Sequence, residues 1–266
     1  MSDGAFNQMA ADYDAVFTNS KIGRLQREIV WSYLNENLEF GTEFRVLELN
    51  CGTGEDASIF AKKGCEVTAT DISSEMLAVA RCKAAKQDVS SLIEFKSVDL
   101  NAIDKHTFEH KYDLVFSNFG GLNCVSKESL QLLSEKLQSL LKPEGRFVAV
   151  VMPSFCLMES VYFLLKFQFE KAFRRLRNKV AWTNDEGETI SIYYYSPSQF
   201  KSIIGERFTV QSHIPVGLWV PPSYTEQFFQ RHQRILGFLS RMEKSINSSF
   251  LSGVADHYLI DFKLKN

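Results

Sequence analysis

The stretch Val46-Leu47-Glu48-Leu49-Asn50-Cys51-Gly52-Thr53-Gly54-Glu55-Asp56 constrains this chain more than any other. A short apolar run leads into a Gly-x-Gly turn, and a helical pattern follows from Asp56 to Lys63 through Ala57, Ile59, Phe60 and Ala61. One strand–helix unit later a second apolar run ends on an acid, Val67-Thr68-Ala69-Thr70-Asp71. Strand, glycine turn, helix and an acid at the next strand end is how α/β proteins hold an adenine nucleoside. Glycine lets backbone approach a ligand with no Cβ in the way. The Asp71 carboxylate can accept charged hydrogen bonds from both ribose hydroxyls.

A dinucleotide site has three glycines, Gly-x-Gly-x-x-Gly, and backbone N–H groups aimed at a pyrophosphate. Counting from Gly52, the third position is Ala57, which that motif tolerates, so spacing alone leaves a nicotinamide dinucleotide open. Glu48 argues the other way. A carboxylate there adds negative charge beside a pyrophosphate, but suits a ligand carrying an ammonium and a sulfonium. On these residues the chain resembles the class I S-adenosylmethionine-dependent methyltransferases, whose first motif reads Glu-x-Gly-x-Gly-x-Gly. It stands here as Glu48-x-Asn50-x-Gly52-x-Gly54. Asn50 replaces the first glycine, and asparagine is the non-glycine residue that best tolerates left-handed backbone.

Three further segments carry the resemblance. Phe95-Lys96-Ser97-Val98-Asp99-Leu100 looks like the family's third strand end, where an acid meets the adenine amino group and the next residue packs on the ring. Tyr112 to Gly121 looks like the fourth strand and the loop beside the methyl group. Ala10-Ala11-Asp12-Tyr13-Asp14 resembles the N-terminal segment whose tyrosine closes over the methionine end. The resemblance implies cofactor contacts from Tyr13, Glu48, Asn50, Cys51, Gly52, Gly54, Asp71, Ile72, Met76, Asp99, Leu100, Asn118 and Phe119. It implies a Rossmann-like α/β fold, a doubly wound, mostly parallel seven-stranded sheet. The implied activity is methyl transfer from S-adenosyl-L-methionine, leaving S-adenosyl-L-homocysteine. It covers roughly residues 5–152; the remainder resembles only stand-alone bacterial methyltransferases of unassigned substrate.

At 266 residues the chain can bury one large core, or a core with an inserted lid. A net charge of −2 gives no global field to attract nucleic acid or an anionic membrane. Cys51, Cys65, Cys82, Cys124 and Cys156 are odd in number and lack Cys-x-x-Cys spacing, which reads as free thiols in a reducing compartment. Met1-Ser2-Asp3-Gly4 has neither the basic nor the apolar region of a signal peptide, so the cytoplasm is the expected location.

Periodicity fills in the frame. A helix is predicted from Ile22 to Leu38, another after Asp71 capped by Ser73 or Ser74, and a third from Ser126 until Pro143-Glu144-Gly145 stops it. Phe147 to Val151 reads as a buried parallel strand, and Phe208–His213 and His257–Phe262 as the last two. The expected division is a cofactor-binding core with an N-terminal helical segment over 1–152 and a lid over 153–196 after the fifth strand. Residues 197–266 would complete the sheet with one long helix.

The lid region is strongly apolar from Phe155 to Phe169 and basic from Lys171 to Lys179, with Arg174, Arg175 and Arg177 between. Glu159 and Lys166 break the run, which is too short to span a bilayer. Three readings stand. The apolar face packs on the core with its charges solvated, the basic end attracts an acidic substrate or carrier, or residues 155–179 rest weakly on anionic lipid. Downstream, Ile190, Ile192 and Tyr194 alternate as a strand, with Tyr193 and Tyr195 on its other face. Tyr193, Tyr195, Asn123 and Trp219 are the candidate substrate pocket.

Methyl transfer is an in-line displacement for which alignment supplies about 7–11 kcal/mol. Oxygen and nitrogen acceptors also need a base. Tyr193, Tyr195 and His213 are the catalytic candidates; His106 and His110 have ligand-like spacing but no partner cluster, so no metal is expected. Ser117-Asn118-Phe119-Gly120 is not the Asp-Pro-Pro-Tyr motif of DNA amino-methyltransferases, and Cys124 lacks the preceding proline of cytosine-carbon enzymes. The acceptor is therefore expected to be a small molecule, not nucleic acid. A nicotinamide-dependent oxidoreductase and a non-catalytic S-adenosylmethionine-binding protein are the rival readings, and the oligomeric state is open.

The cofactor reading makes a direct prediction. S-adenosylhomocysteine should raise the melting temperature by mass action while NAD and NADP leave it unchanged. Stabilisation by a dinucleotide alone would contradict it.

Overall fold

A computed structural model describes residues 4–100, 108, 110–183, 187, 189–244 and 248–265. Helix α1 (Gly4–Tyr13) widens into a π-helical turn over Asp14–Thr18 before α2 (Lys21–Asn37), whose first turn is capped by Ser20 accepting the Gly23 N–H. The alternation then runs β1 (Arg45–Leu49), α3 (Glu55–Lys62), β2 (Glu66–Asp71), α4 (Ser74–Lys86), β3 (Ile93–Ser97) and β4 (Tyr112–Ser117). Helix α5 (Lys127–Leu140) and β5 (Leu141–Val151) follow. Ser73 caps α4 by accepting the Met76 N–H, and Ser126 caps α5 through the Ser129 N–H. Each cap satisfies an end-of-helix donor that has no partner inside the helix.

After β5 come α6 (Leu157–Leu165), α7 (Phe169–Ala172) and a hairpin of β6 (Lys179–Thr183) with β7 (Thr189–Tyr193). The chain ends with α8 (Pro197–Ile204), β8 (Phe208–Val216), α9 (Glu226–Arg231), α10 (Gln233–Lys244) and β9 (His257–Leu264). The one long helix expected beyond residue 197 is thus three separate ones. The α9–α10 break falls at His232, whose ring stacks on Phe228 and whose backbone leaves the helical region.

The main sheet has seven strands in the order β3-β2-β1-β4-β5-β9-β8, parallel except for β9. Both faces are covered. Leu130, Leu137, Phe200 and Phe262 pack on one side, and Val30, Leu34, Phe60 and Leu77 on the other. Fully burying a side chain of this size is worth about 1.5–3 kcal/mol. That is why β5 reads as apolar on both faces from Phe147 to Val151. Strand order reverses between β1 and β4, and at such a switch point the following connections leave toward opposite faces and open a crevice outside the C-terminal strand ends. Leu49, Asp71 and Ser117 end the three strands there.

Helix α6 corrects the expectation of an apolar face laid on the core. Glu159, Ser160 and Phe163 point inward, while Leu157, Val161, Leu164 and Leu165 point to solvent. Ion pairing decides the orientation. The buried Glu159 carboxylate accepts from Arg174 Nε and Nη2 at 2.9 and 3.0 Å, Arg175 Nη2 at 2.9 Å and the Tyr224 hydroxyl at 3.0 Å. Arg175 also donates to Asp256 at 2.7 Å, and Ser160 Oγ donates to the Ala172 carbonyl at 2.6 Å. Two of the lid's arginines are thereby turned inward rather than left as a basic surface. Among the described residues no helix is long and apolar enough to cross a membrane.

Candidate cofactor site

The crevice at the switch point is a cavity of about 250 Å³. Asn50 and Gly52 of the β1–α3 turn form its floor, Asp71, Ile72 and Met76 one side, and Asn118 through Gly121 with Cys124 the other. Phe6 and Tyr13 of α1 close over it, with Met152 beyond β5 and Ile192 of β7 as the remaining wall. Asn50 and Gly52 both have left-handed backbone, at φ 54° and 53°, and a Cβ placed on Gly52 would meet only the Tyr13 ring edge at 4.0 Å. The turn is therefore a cradle open to the cavity. Phe119 also has positive φ, 43°, a strained value for an aromatic residue, and its N–H is held by Asn118 Oδ1 at 3.0 Å.

Carboxylates dominate the electrostatics. Asp71 accepts the Gly52 N–H through Oδ2 and the Ser73 N–H through Oδ1, both at 2.9 Å, and burial raises its pKa against those bonds. Asp56, in the first turn of α3, accepts Arg27 Nε at 3.1 Å, Trp31 Nε1 at 2.7 Å and Asn118 Nδ2 at 2.9 Å. Glu48 is buried, and burial first, then Asp56, holds its pKa well above the usual carboxylate range. One of its oxygens, Oε2, is buried without a hydrogen-bond partner, and so is Arg27 Nη1. A buried acceptor or donor without a partner is costly.

Residues 46–145 match a family model described as a methyltransferase domain. The malonyl-[acyl-carrier protein] O-methyltransferase of Priestia megaterium is 32% identical over 144 residues, covering 53% of this chain and 47% of that protein. The ubiquinone/menaquinone biosynthesis C-methyltransferase of Bartonella henselae is 29% identical over 177 residues, covering 63% of this chain and 64% of that protein. The chain spans about half the length of the curated relatives it matches. A solved S-adenosylmethionine-dependent methyltransferase from Clostridium acetobutylicum shares the fold, with a TM-score of 0.60 at 15% identity, covering 98% of this chain and 100% of that one. Residues 46–145 form a methyltransferase domain, set in the class I methyltransferase fold.

Eight of the residues expected at the cofactor line this domain's cavity: Tyr13, Asn50, Gly52, Asp71, Ile72, Met76, Asn118 and Phe119. Five do not. Cys51 and Glu48 are buried and are not part of the wall. Gly54 is committed to helix packing, since a Cβ there would meet Ala80 Cβ at 2.8 Å. Leu100 is buried in the core rather than offered to a ring, and Asp99 is half-buried and off the wall.

The substrate candidates of the methyltransferase domain need more correction. Alternation along β7 sends Ile192 into the cavity, so Tyr193 faces the other way. Tyr193 and Tyr195 line a separate hollow against α5 and α8, their rings stacked with centroids 6.3 Å apart, and the Tyr195 hydroxyl donates to the Val125 carbonyl at 2.7 Å. Catalysis by that tyrosine face is thereby removed. Asn123 is wholly buried and braces the lid, accepting the Met152 N–H at 2.8 Å and donating to the Tyr193 carbonyl at 2.6 Å. Trp219 is held by its backbone N–H to Glu243 at 2.6 Å and is not on the cavity wall.

His213 is mid-strand, because β8 runs on to Val216; its Nδ1 lies 3.1 Å from Ser252 Oγ. His257 comes nearer the methyltransferase cavity, its ring edge-on to Phe119 and its Nδ1 3.3 Å from Asp256. His106 lies outside the described residues, among which no group of three or more potential ligands could hold a metal.

The sequence reading missed Phe6, Cys124, Met152, Ile192, Arg27 and Asp56. Only Arg27 left a signal, a cation beside Gln26 on the otherwise apolar stripe of α2. Replacing Asp56 by alanine strands the Arg27 guanidinium and the Trp31 indole N–H. The expected loss is about 3–5 kcal/mol of unfolding free energy in urea, as for breaking a buried ion pair. A loss under about 1 kcal/mol, the value of an exposed pair, would contradict the hub.

Proposed function

We propose that the protein transfers a methyl group from S-adenosylmethionine to a small acceptor whose nucleophilic atom arrives already ionised. The observation that carries the cofactor part is the open left-handed turn at Asn50 and Gly52, with the Asp71 carboxylate on the adjoining side of the same cavity. The residues present fit the group. Asp71 keeps lone pairs beyond its two backbone bonds for ribose hydroxyls, and the open turn at Gly52 leaves room for backbone approach. A pyrophosphate would instead lie beside Asp71, with Glu48 and Asp56 within electrostatic reach and Arg27 as their nearby cation, which disfavours the dinucleotide reading.

When bound, S-adenosylmethionine supplies an electrophilic methyl group on a sulfonium. The chain's own residues bind, orient and exclude water. Tyr13, Phe6 and Phe119 enclose the cavity, and Met152 and Ile192 give the remaining wall an apolar surface. Burial pushes both the Tyr13 hydroxyl and the Cys124 thiol up to about 12, so neither accepts a proton at neutral pH. Asp71 is engaged by Gly52 and Ser73. Among the described lining residues that leaves no free general base, which favours acceptors such as a carboxylate or a stabilised carbanion.

Asp71→Ala should weaken S-adenosylhomocysteine binding by about 2–3 kcal/mol in calorimetry, the range for hydrogen bonds to a charged group. With methyl-labelled cofactor and a metabolite extract, wild type should label a small product, and Asp71→Ala should do so far more slowly. Unaltered affinity in a folded variant, or no labelled product at any pH, would overturn the proposal.

A further inference from the structure

Helix α6 presents its apolar stripe outward. Leu157, Val161, Leu164 and Leu165 follow the i, i+4, i+7, i+8 spacing of one helix face, and that face is in solvent while Glu159 and Ser160 are buried. The apolar surface continues beyond the helix. Phe167 and Phe169 are 81% and 59% exposed, and Phe173 and Leu176 follow at 43% and 55%. Scattered exposed apolar residues are ordinary, but a run this dense in one short segment marks an interaction surface.

The charges around it are predominantly positive. Among residues 157–183, Lys166, Lys171, Arg177 and Lys179 are exposed, against Glu170 as the exposed carboxylate. Lys166 lies 4.3 Å over the Tyr162 ring, and Lys171 5.8 Å from the Phe163 ring centroid. Their ammonium groups therefore stay close to the apolar surface instead of extending away from it. The chain as a whole carries −2, so this cationic rim is local and opposes the global balance. Arg174 and Arg175 are not part of the rim. Their ion pairs with Glu159 fix α6 with its leucines outward, so the exposure is a built feature and not a loosely packed end.

We propose that α6, α7 and the start of β6 dock on an anionic lipid bilayer, the apolar side chains entering the interface and the four cations meeting lipid phosphates. A projecting apolar run with a basic rim is the pattern of an interfacial helix. Leu165, Phe167, Phe169 and Leu176 are each more than half exposed, which together with the basic rim favours a fluid anionic surface over a folded partner. The patch also adjoins the cavity along the chain. Met152 of the cavity wall precedes α6 by a short loop, and Ile192 of the same wall pairs with Val180 of β6. An acceptor that partitions into lipid would thus reach the cavity at the membrane surface. That consequence rests on the methyl-transfer reading; the docking does not.

Co-sedimentation of the full chain with vesicles tests the docking. Binding is expected to vesicles of phosphatidylcholine with phosphatidylglycerol, to be weak to phosphatidylcholine alone, and to fall with added salt. Lys171→Glu with Arg177→Glu should weaken it on the order of tenfold or more. Leu165→Ser with Phe167→Ser should weaken it on both vesicle types. All variants should keep the thermal shift with S-adenosylhomocysteine, which separates failure of the docking from failure of the methyl-transfer reading. Absence of vesicle binding, or unchanged binding by the folded variants, would overturn the proposal. So would a wild-type dimer that the serine variants convert to monomer, since a second copy would then be what covers the patch.

Discussion

Negative charge gathered around one backbone turn organises this molecule. Glu48, Asp56 and Asp71 lie within electrostatic reach of one another, and Arg27 is the cation that opposes them. Each acid also joins separate elements. Asp56 ties α2 to α3 and to the loop after β4, and Asp71 ties the glycine turn to the start of α4. Asp14 extends the pattern by accepting from Thr53 at 2.6 Å and pairing with Lys83, which holds the end of α1 against the turn and α4. Carboxylates here are structural ties whose combined field leaves the cavity ready for a cation. The same field lifts the Tyr13 hydroxyl after burial has done most of it.

The fold positions this field by topology. Parallel strands require their helices on both faces, which leaves backbone open to a ligand at the switch point outside the ends of β1 and β4. The lid then completes the enclosure from a distance in sequence. Asn123, buried beside the cavity, couples Met152 to the hairpin that carries Ile192, so the apolar wall is braced by the loop after β4. The result is a side made acidic by Asp71, an apolar far wall and, among the described lining residues, no free proton acceptor between them. Such an arrangement aligns reactants and excludes water, the two contributions that a sulfonium displacement takes from a protein.

Much of this was legible in the residues because it is local. The strand–turn–helix–acid unit, the left-handed Asn50 and the Ser73 cap follow from backbone preferences within a few positions. The alternating periods pointed to a doubly wound fold, and the resemblance implied its seven strands. What depended on contacts across the chain was not legible. Met152, Ile192 and Cys124 reach the cavity from three separate segments, with no motif to mark them. For the tyrosines the strand period was correct and the face was not, because period 2 leaves the choice of side to tertiary packing. The α6 stripe was legible too, but its direction was set by Glu159 finding Arg174 and Arg175 well over a dozen residues away.

The central claim is that the cavity's acids are complementary to a cationic ligand, and proton linkage tests it most directly. Burial first, then Asp56 and Asp71, raises the Glu48 carboxyl well above the usual carboxylate range. A bound ammonium and sulfonium favour the ionised form, so the proton should leave on binding. Calorimetry of S-adenosylmethionine binding in buffers of different ionisation enthalpy, at about pH 5–7, should show net proton release for wild type and little or none for Glu48→Gln. Proton uptake, or release that Glu48→Gln leaves unchanged, would contradict the account.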